Sequence, residues 1–459
     1  MSIHQLYRPA GLLERYHITR QSLRFDSPVV VAGKYINVVS NERLSPETVY
    51  PAVVHAIHTH AALSALILHD PAKGSRPFFC RMQTINVEQA VRFLNKDDGD
   101  LGSLIEVEMS NRIDVNGNVP LWRLTVTSDN VVIFAWHHGI GDGQSGPAVL
   151  RTILEGLNKT EQSSSPQDFK AITVPKELSM TPAVEDLTNV SPSICKILGA
   201  LASIFVPPSW ANRNVWTGKN VLPSVPTTTK TNIRIIRIPL SSAAHLLSSA
   251  RAHKATLTSL LYTLIVPILS KLLLSQPDSR KYKRLSISVP VSLRPLAHVP
   301  ATAMCELVSA YQPFPAFCTE FSWERAAAFA DELHQAVPPS RQTIGTLKLL
   351  FGHYEAYFKG HLGAKRKASL ELSNIGAFKT AHTGGEPQAE DDAPRWRVGD
   401  TYFAQCDVLI GAPLQVFVTG SPDGGVNICV TWSQGLEDTM AEAFVKGLQI
   451  AIEDLSRHK

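Results

Sequence analysis

The most informative part of the chain is Val131-Val132-Ile133-Phe134-Ala135-Trp136-His137-His138-Gly139-Ile140-Gly141-Asp142-Gly143-Gln144-Ser145. Its uncharged apolar run predicts a buried strand, which stops at two adjacent histidines. Side chains along a strand point alternately to opposite faces, so only one of His137 and His138 can face a given cavity. We therefore expect one histidine to act in a site and the other to be structural.

Three glycines follow the histidines within five residues and allow the backbone to turn sharply and a ligand to approach closely. Asp142 lies between two of them, four residues beyond His138, and can fold back in a tight turn. The combination predicts a histidine that acts as a base. The structural alternative is a histidine pair at a strand end followed by an ordinary Gly-Asp-Gly turn.

The order of these residues resembles the His-His-x-x-x-Asp-Gly motif of the CoA-dependent acyltransferase superfamily. This superfamily includes chloramphenicol acetyltransferases, plant acyltransferases and peptide-synthetase condensation domains. The resemblance implies that His138 is the catalytic base and that Asp142 supports the loop, with His137 and Gly143 in supporting positions. It implies acetyl-CoA as a co-substrate, with no bound cofactor and no metal.

Composition narrows the possible functions. The chain has 459 residues, of which 44% are hydrophobic and 18% charged, as expected for a globular protein of two or three domain-sized units. Its net charge of +4 arises from 44 basic and 40 acidic residues without a long basic stripe, which disfavours nucleic acid as a partner. This charge balance is compatible with a polyanionic cofactor.

Six singly scattered cysteines argue against a disulfide framework or a zinc site and indicate a reducing compartment. The first residues lack the features of a secretory signal, and no uninterrupted apolar run reaches the ~18–20 residues of a membrane helix. We expect a cytoplasmic protein, possible peripheral contact with an intracellular membrane, and a monomer.

The sequence of the first half predicts helices that alternate with strands. Ser45-Pro46 is typical of a helix start. The predicted elements are a loop and short helix in 8–16, a strand at 29–31, a helix at 46–69, strands at 78–85, 104–109, 121–126 and 131–136, and a helix at 145–159. A connection rich in serine and proline then spans 159–229. Within it, 194–206 is predicted as an apolar helix, either a short core or lid helix or one that contacts a membrane surface.

The second half restarts with the same alternation. Its predicted helices are 241–253, 256–274, 322–337, 343–360 and 437–455, and its predicted strands are 233–238, 285–291, 401–404, 414–419 and 426–431. Arg294 follows one of these strands, either as a surface cation or as a bidentate partner for Asp142. In the superfamily, the motif aspartate is typically held by an arginine of the second domain.

Ser373-Asn374-Ile375-Gly376 predicts a polar turn whose serine hydroxyl or asparagine amide could donate to a developing oxyanion, so Ser373 and Asn374 are candidate substrate-binding residues. An ordinary polar turn is the alternative. The three cations of Lys365-Arg366-Lys367 are either a phosphate contact for CoA or a solvated face.

The opening segment, the histidine motif, the long connection, the Ser-Asn-Ile-Gly segment and Phe403-Ala404-Gln405 resemble fungal alcohol acetyltransferases in order. This resemblance implies two chloramphenicol-acetyltransferase-like subdomains, each a mixed sheet with flanking helices, with the active-site channel between them. We place the division near residue 215, giving 1–215 and 216–459.

The implied reaction is transfer of an acetyl group from acetyl-CoA to the hydroxyl of a small or secondary-metabolite alcohol. A thioester is already activated, so no covalent enzyme intermediate is required. Two alternatives stay open: a condensation-type enzyme that uses a carrier-bound acyl donor or an amine acceptor, and a binding protein without activity.

Overall fold

The computed structural model describes residues 5–69, 76–95, 99–115, 117–159, 168–205, 210, 212–226, 231–277, 281–379, 394–406 and 409–457. The strands are β1 (Gln5–Pro9), β2 (Val29–Asn37), β3 (Ala65–Leu68), β4 (Phe78–Arg81), β5 (Thr84–Ile85), β6 (Val91–Phe93), β7 (Trp122–Val126), β8 (Val131–Trp136), β9 (Ile172–Thr173), β10 (Asn232–Ile238), β11 (Ile287–Ser292), β12 (Val308–Tyr311), β13 (Leu370–Ala377), β14 (Trp396–Ala404), β15 (Leu414–Gly420) and β16 (Val426–Trp432).

The α-helices are α1 (Leu12–Ser22), α2 (Pro46–Thr59), α3 (Val87–Ala90), α4 (Leu101–Ser110), α5 (Ser145–Lys159), α6 (Val184–Leu187), α7 (Ile194–Phe205), α8 (Leu240–Ala252), α9 (Leu257–Leu274), α10 (Arg294–Ala297), α11 (Trp323–Gly345), α12 (Tyr354–Lys359) and α13 (Asp438–Arg457). Short 3₁₀ helices span Ala61–Ser64, His138–Ile140 and Thr346–Leu350. The predicted α/β class is confirmed.

The motif strand β8 is central in a five-stranded sheet of order β14-β2-β8-β7-β6. Every residue of β8 is buried, because the strand is paired on both sides and covered on both faces. It pairs antiparallel with β2 and with β7, so the register places Trp136 opposite both Val29 and Trp122. The histidines therefore begin where the most deeply buried strand of this sheet ends.

The second sheet has six strands in the order β10-β16-β15-β13-β11-β12. It is mixed, since β13 pairs in parallel with β11 and β15 while the other pairs are antiparallel. Its core, which includes α8, α9 and α13, is built entirely from residues after 215. The larger core surrounds the first sheet.

One strand crosses the predicted division. Strand β14 belongs to the second half of the chain, yet it pairs antiparallel with β2 at the edge of the first sheet, with Phe403 opposite Val31. The same strand also packs near β15 and β16 of the second sheet. It therefore joins the two sheets, and the boundary near residue 215 stays a prediction.

Two predicted elements of the first half are wrong in type, one over its last residues and one throughout. The helix predicted over 46–69 ends at Thr59, and Ala65–Leu68 is the strand β3, because those residues pair with β4. The strand predicted over 104–109 is part of helix α4. Asp100 caps that helix by accepting from the amides of two following residues, and the buried residues recur every three or four positions.

Boundaries differ elsewhere. The opening segment forms strand β1 and a longer helix, and the predicted strand 78–85 is divided into β4 and β5. The helices predicted over 322–337 and 343–360 are instead α11, a 3₁₀ turn and the short α12. Helix α11 passes through Pro338 and Pro339, since packing against β12 and α9 overrides the local preference of proline to end a helix.

Helix α9 does not contradict the expectation from apolar runs, because Thr258, Ser259 and Lys271 interrupt its apolar residues. Its 18 residues are long and apolar enough to cross a membrane by length and composition. However, 67% of this span is buried inside the protein, where it packs against α11 and α13. This burial is the pattern of a core helix.

Candidate active site

A cavity of about 380 Å³ lies between the two sheets and contains His138 in its wall. Residues from both halves of the chain line it, as in many ligand sites. Clefts of about 420 and 480 Å³ near Asp100 and Arg237 have no histidine or cysteine among their described lining residues, so volume alone does not select the site. The chemistry of the walls distinguishes the cavity of His138.

His138 begins the 3₁₀ turn that follows β8. Its backbone amide donates to the side-chain oxygen of Gln21 from α1 at 3.1 Å, which fixes the start of this turn. Its ring nitrogen Nδ1 lies 3.1 Å from Oε2 of Glu306, a residue of the second half of the chain. The other ring nitrogen, Nε2, has no hydrogen bond with the described residues.

His137 has a different environment. Its side chain is completely buried, and its Nδ1 accepts a hydrogen bond from the Gly139 amide at 3.0 Å. Burial and, to a smaller extent, neighbouring His138 lower the pKa of His137 to about 3, so the imidazole is neutral near pH 7. Only His138 of the two lines the cavity. The structure therefore separates the two histidines in the way that strand alternation suggests.

A second imidazole completes the surroundings of Glu306. The ring of His17, from α1, stacks on the ring of His138 with centroids 3.7 Å apart and planes 6° from parallel. Nε2 of His17 lies 3.5 Å from Oε1 of Glu306. One buried carboxylate thus faces two stacked imidazoles.

His17, His138 and Glu306 offer ligand atoms within 4.8 Å of one another, close enough for a metal ion. Stacked rings, however, direct their nitrogen lone pairs side by side and not toward one point, whereas zinc prefers tetrahedral ligands. Nδ1 of His138 is also within hydrogen-bond distance of Glu306. We interpret the cluster as a network of imidazoles and a carboxylate.

The charges in this network are strongly coupled. Burial opposes protonation of His138, but the adjacent Glu306 carboxylate outweighs burial, so the pKa of His138 lies above its usual value. Burial raises the pKa of Glu306, although His138 opposes that rise. Burial and the neighbouring His138 lower the pKa of His17 well below its usual value. The proton of the network therefore resides mainly on the His138–Glu306 pair.

Arg294 contacts Asp142, as the bidentate hypothesis predicts, but only one of its terminal nitrogens donates to the carboxylate. Nη1 of Arg294 donates to Oδ2 of Asp142 at 2.5 Å, and both side chains are only 3% exposed. The second guanidinium nitrogen, Nη2, instead donates to the hydroxyl of Ser145 and to the carbonyls of Ala303 and Cys305. Arg294 is therefore a buried clamp and not a surface cation.

Gly143 lies where a larger residue would not fit. A Cβ atom there would be 2.8 Å from Cζ of Phe403 and 2.9 Å from Cγ2 of Ile375, which is closer than packed carbon atoms approach. Phe403 belongs to β14, so the strand that joins the sheets packs directly on the motif loop. Gly143 also lines the cavity, as expected for a supporting position.

The sequence predicts a polar turn for Ser373 and Asn374. Both residues lie instead in strand β13, whose register shifts between Asn374 and Ala377. Ser373 lines the cavity together with His138. Asn374 is occupied elsewhere, because its amide donates to Thr258 at 3.0 Å and its oxygen accepts from the Gly376 amide at 2.9 Å. Of these two residues, only Ser373 is among the described residues that line the cavity.

The three consecutive cations also separate. Nζ of Lys365 donates to the carbonyls of Asn212 and Val215, and buried Arg366 donates to other carbonyls. Lys367 lines the cavity, where its Nζ donates to the hydroxyl of Tyr357 at 2.6 Å. Two of the cations are therefore structural, and one is available to a polar part of a substrate.

Sequence reasoning missed Glu306 and His17. Glu306 is a lone carboxylate in the apolar run Ala303-Met304-Cys305-Glu306-Leu307-Val308, a signal that could have marked it as a functional residue. His17 lies in the short helix α1, and nothing in its local sequence distinguishes it.

Comparisons with known proteins identify the family of this chain. The model of the alcohol acetyltransferase family matches residues 87–450, which is most of the chain. The probable alcohol acetyltransferase crmB of Aspergillus fumigatus is 22% identical over 426 residues, covering 84% of this chain and 86% of crmB.

Solved structures share the fold. The trichothecene 15-O-acetyltransferase of Fusarium sporotrichioides is similar with a TM-score of 0.68 at 12% identity, over 98% of this chain and 95% of that one. The condensation domain of the polyketide synthase MokA is similar with a TM-score of 0.57 at 13% identity, over 99% and 98%. The fold is that of the two-subdomain acyltransferases, and the chain is an acyltransferase that belongs to the alcohol acetyltransferase family.

Proposed function

We propose that this enzyme transfers an acetyl group from acetyl-CoA to the hydroxyl of a small or secondary-metabolite alcohol, with His138 as the general base. The main support is the environment of His138. It lines a cavity between the two halves, and its Nδ1 faces Glu306, which leaves Nε2 for the acceptor. A base needs this access, because it must lie within hydrogen-bond distance of the proton that it removes.

In the proposed reaction, Nε2 of neutral His138 takes the hydroxyl proton as the alcohol oxygen attacks the thioester carbonyl. The tetrahedral oxyanion then collapses, the carbon–sulfur bond breaks, and the CoA thiolate receives the proton back from His138. The products are the acetate ester and free CoA. Ser373 lines the same cavity and is the candidate donor to the oxyanion.

The test is release of free thiol from acetyl-CoA, measured with a panel of alcohols and amines for the natural protein and for His138→Ala. We expect alcohol-dependent thiol release that falls by about 10²–10⁴-fold in the variant, the usual contribution of a general base. Acetyl-CoA binding and the melting temperature should change little. His334→Ala is the matched control, since His334 is an exposed histidine in α11.

Three results would contradict the proposal. Unchanged turnover in His138→Ala would exclude the histidine as base. Thiol release only with amines would exclude the alcohol as acceptor. Failure of the folded protein to bind acetyl-CoA, together with acyl transfer from a carrier-protein thioester, would favour the condensation-type alternative.

A further inference from the structure

We infer that Glu306 is the positioning residue of this active site: it holds the ring of His138 through Nδ1, so that Nε2 is presented to the acceptor. This inference rests on the proposed role of His138 as base. The motif supplies the histidine from the first half of the chain, and the second half supplies the carboxylate that orients it, 168 residues away.

The contact geometry carries this inference. Oε2 of Glu306 lies 3.1 Å from Nδ1 of His138, and the Glu306 side chain is fully buried. A carboxylate can only accept a hydrogen bond when ionised, so it selects the ring form with hydrogen on Nδ1. That form leaves the lone pair on Nε2, the nitrogen that faces no described protein partner. The stacked ring of His17 restricts rotation of His138 from the other side.

The Asp142–Arg294 clamp holds Glu306 in place. The Asp142 amide donates to the carbonyl of Cys305 at 3.1 Å, and the Leu307 amide donates to Oδ2 of Asp142 at 3.1 Å. Both anchored residues are direct neighbours of Glu306. The motif aspartate thus acts on the base indirectly, by fixing the segment that carries its carboxylate partner.

The charged groups around His138 define the expected pH behaviour. Besides Glu306 and His17, its neighbours are Asp26, which favours protonation of His138, and His137, which is neutral near pH 7. Arg20 and Glu14 act on the network more weakly, through His17 and Glu306. The Asp142 charge is compensated by Arg294. Removal of Glu306 therefore removes the strongest interaction that raises the pKa of His138, while burial continues to lower that pKa.

The decisive experiment is the pH profile of kcat/KM for the natural protein and for Glu306→Gln, which keeps the shape and removes the charge. In the natural protein, activity should rise with pH through a pKa above 6.5, because only neutral His138 is a base. In Glu306→Gln, this rise should move to lower pH. Its plateau kcat should fall by about 10²-fold or more, since a weaker and wrongly oriented base remains. KM for acetyl-CoA should change less than kcat.

Glu108→Gln is the matched control, because Glu108 is another buried carboxylate but pairs with Arg92 and Arg123 outside the cavity. It should leave the pH profile unchanged. A reduced melting temperature with an unshifted profile in Glu306→Gln would show a merely structural role and overturn the inference. Activity that survives in His138→Ala would instead overturn the proposed function itself.

If Glu306→Gln does not fold, NMR titration of the His138 ring in the natural protein decides the question. The His138 signal is assigned by its loss in His138→Ala. A pKa above 6.5 with hydrogen on Nδ1 is expected, and a pKa below 6.5 or hydrogen on Nε2 would overturn the inference.

Discussion

Two buried contacts between acidic and basic side chains join the halves of this enzyme, and they differ in what surrounds them. Both carboxylate oxygens of Asp142 accept hydrogen bonds, from Ser145, Leu307 and Arg294. Arg294 also donates to the Ser145 hydroxyl and the Cys305 carbonyl, and neither Asp142 nor Arg294 is among the described residues that line the cavity. In the second contact, His138 lines the cavity, Glu306 meets its Nδ1, and Oε1 of Glu306 has no hydrogen bond with the described residues. A carboxylate whose two oxygens are both occupied fixes structure, whereas a carboxylate that pairs with a histidine in a cavity wall can set the protonation of that histidine.

The largest effect on stability should come from breaking the contact between Asp142 and Arg294. Asp142→Asn leaves the buried Arg294 without its charge partner and removes order from the segment that carries Glu306. Breaking such a buried pair costs about 3–5 kcal/mol, so the melting temperature and turnover should both fall. Thermal unfolding and thiol release measure the two effects.

A double-mutant cycle with Arg294→Gln checks the assignment. The two single effects should not add, because the residues interact. A coupling energy indistinguishable from zero would contradict the clamp. Lost activity with an unchanged melting temperature in Asp142→Asn would instead indicate that Asp142 acts electrostatically on His138.

The adjacent histidines sharpen the comparison. His137→Ala leaves the buried Gly139 amide without its acceptor, which costs about 1–3 kcal/mol, whereas His138→Ala removes a ring from a cavity wall. Urea unfolding should show the larger loss for His137→Ala, and turnover the larger loss for His138→Ala. A His137→Ala variant that is stable but inactive would show that His137 is the catalytic residue and His138 the structural one.

Buried neutral histidines outside the cavity should make stability, but not chemistry, depend on pH. Burial lowers the pKa of His60 in the folded state to about 4, so in acid the unfolded chain binds a proton first. The free energy of unfolding should therefore fall as the pH drops from about 6.5 toward 4. This fall should be smaller in His60→Gln, whose amide can still bond to Thr152, when unfolding is measured at pH 7.5 and pH 5.

The smallest effects are expected in strand β13. Asn374→Ala removes hydrogen bonds to Thr258 and Gly376 and should cost about 1 kcal/mol in unfolding free energy with little change in kcat. Ser373→Ala should show the reverse, a lower kcat with little change in stability, if its hydroxyl donates to the oxyanion. Equal kcat values for both variants would remove Ser373 from the proposed mechanism.

The sequence by itself determined the features that depend on local pattern. The apolar run before the histidines specified the buried strand β8, and strand alternation separated His137 from His138, because both follow from side-chain periodicity along a single element. The family motif led to Arg294 as the partner of Asp142, which the geometry of the salt bridge confirms. The helix α5 directly after the motif was likewise predictable, since its apolar stripe is strong.

Only the tertiary structure decided which distant residues meet. Glu306 and His17 come from segments that are far from His138 in the chain, and no local spacing links them to it. Strand β14 joins the first sheet because its pairing with β2 depends on how the two halves pack. The wrong assignment of α4 as a strand has the same origin: alternating apolar residues fit either element until burial shows which face is covered. Local periodicity therefore specified the motif strand, and long-range packing assembled the residues around its histidine.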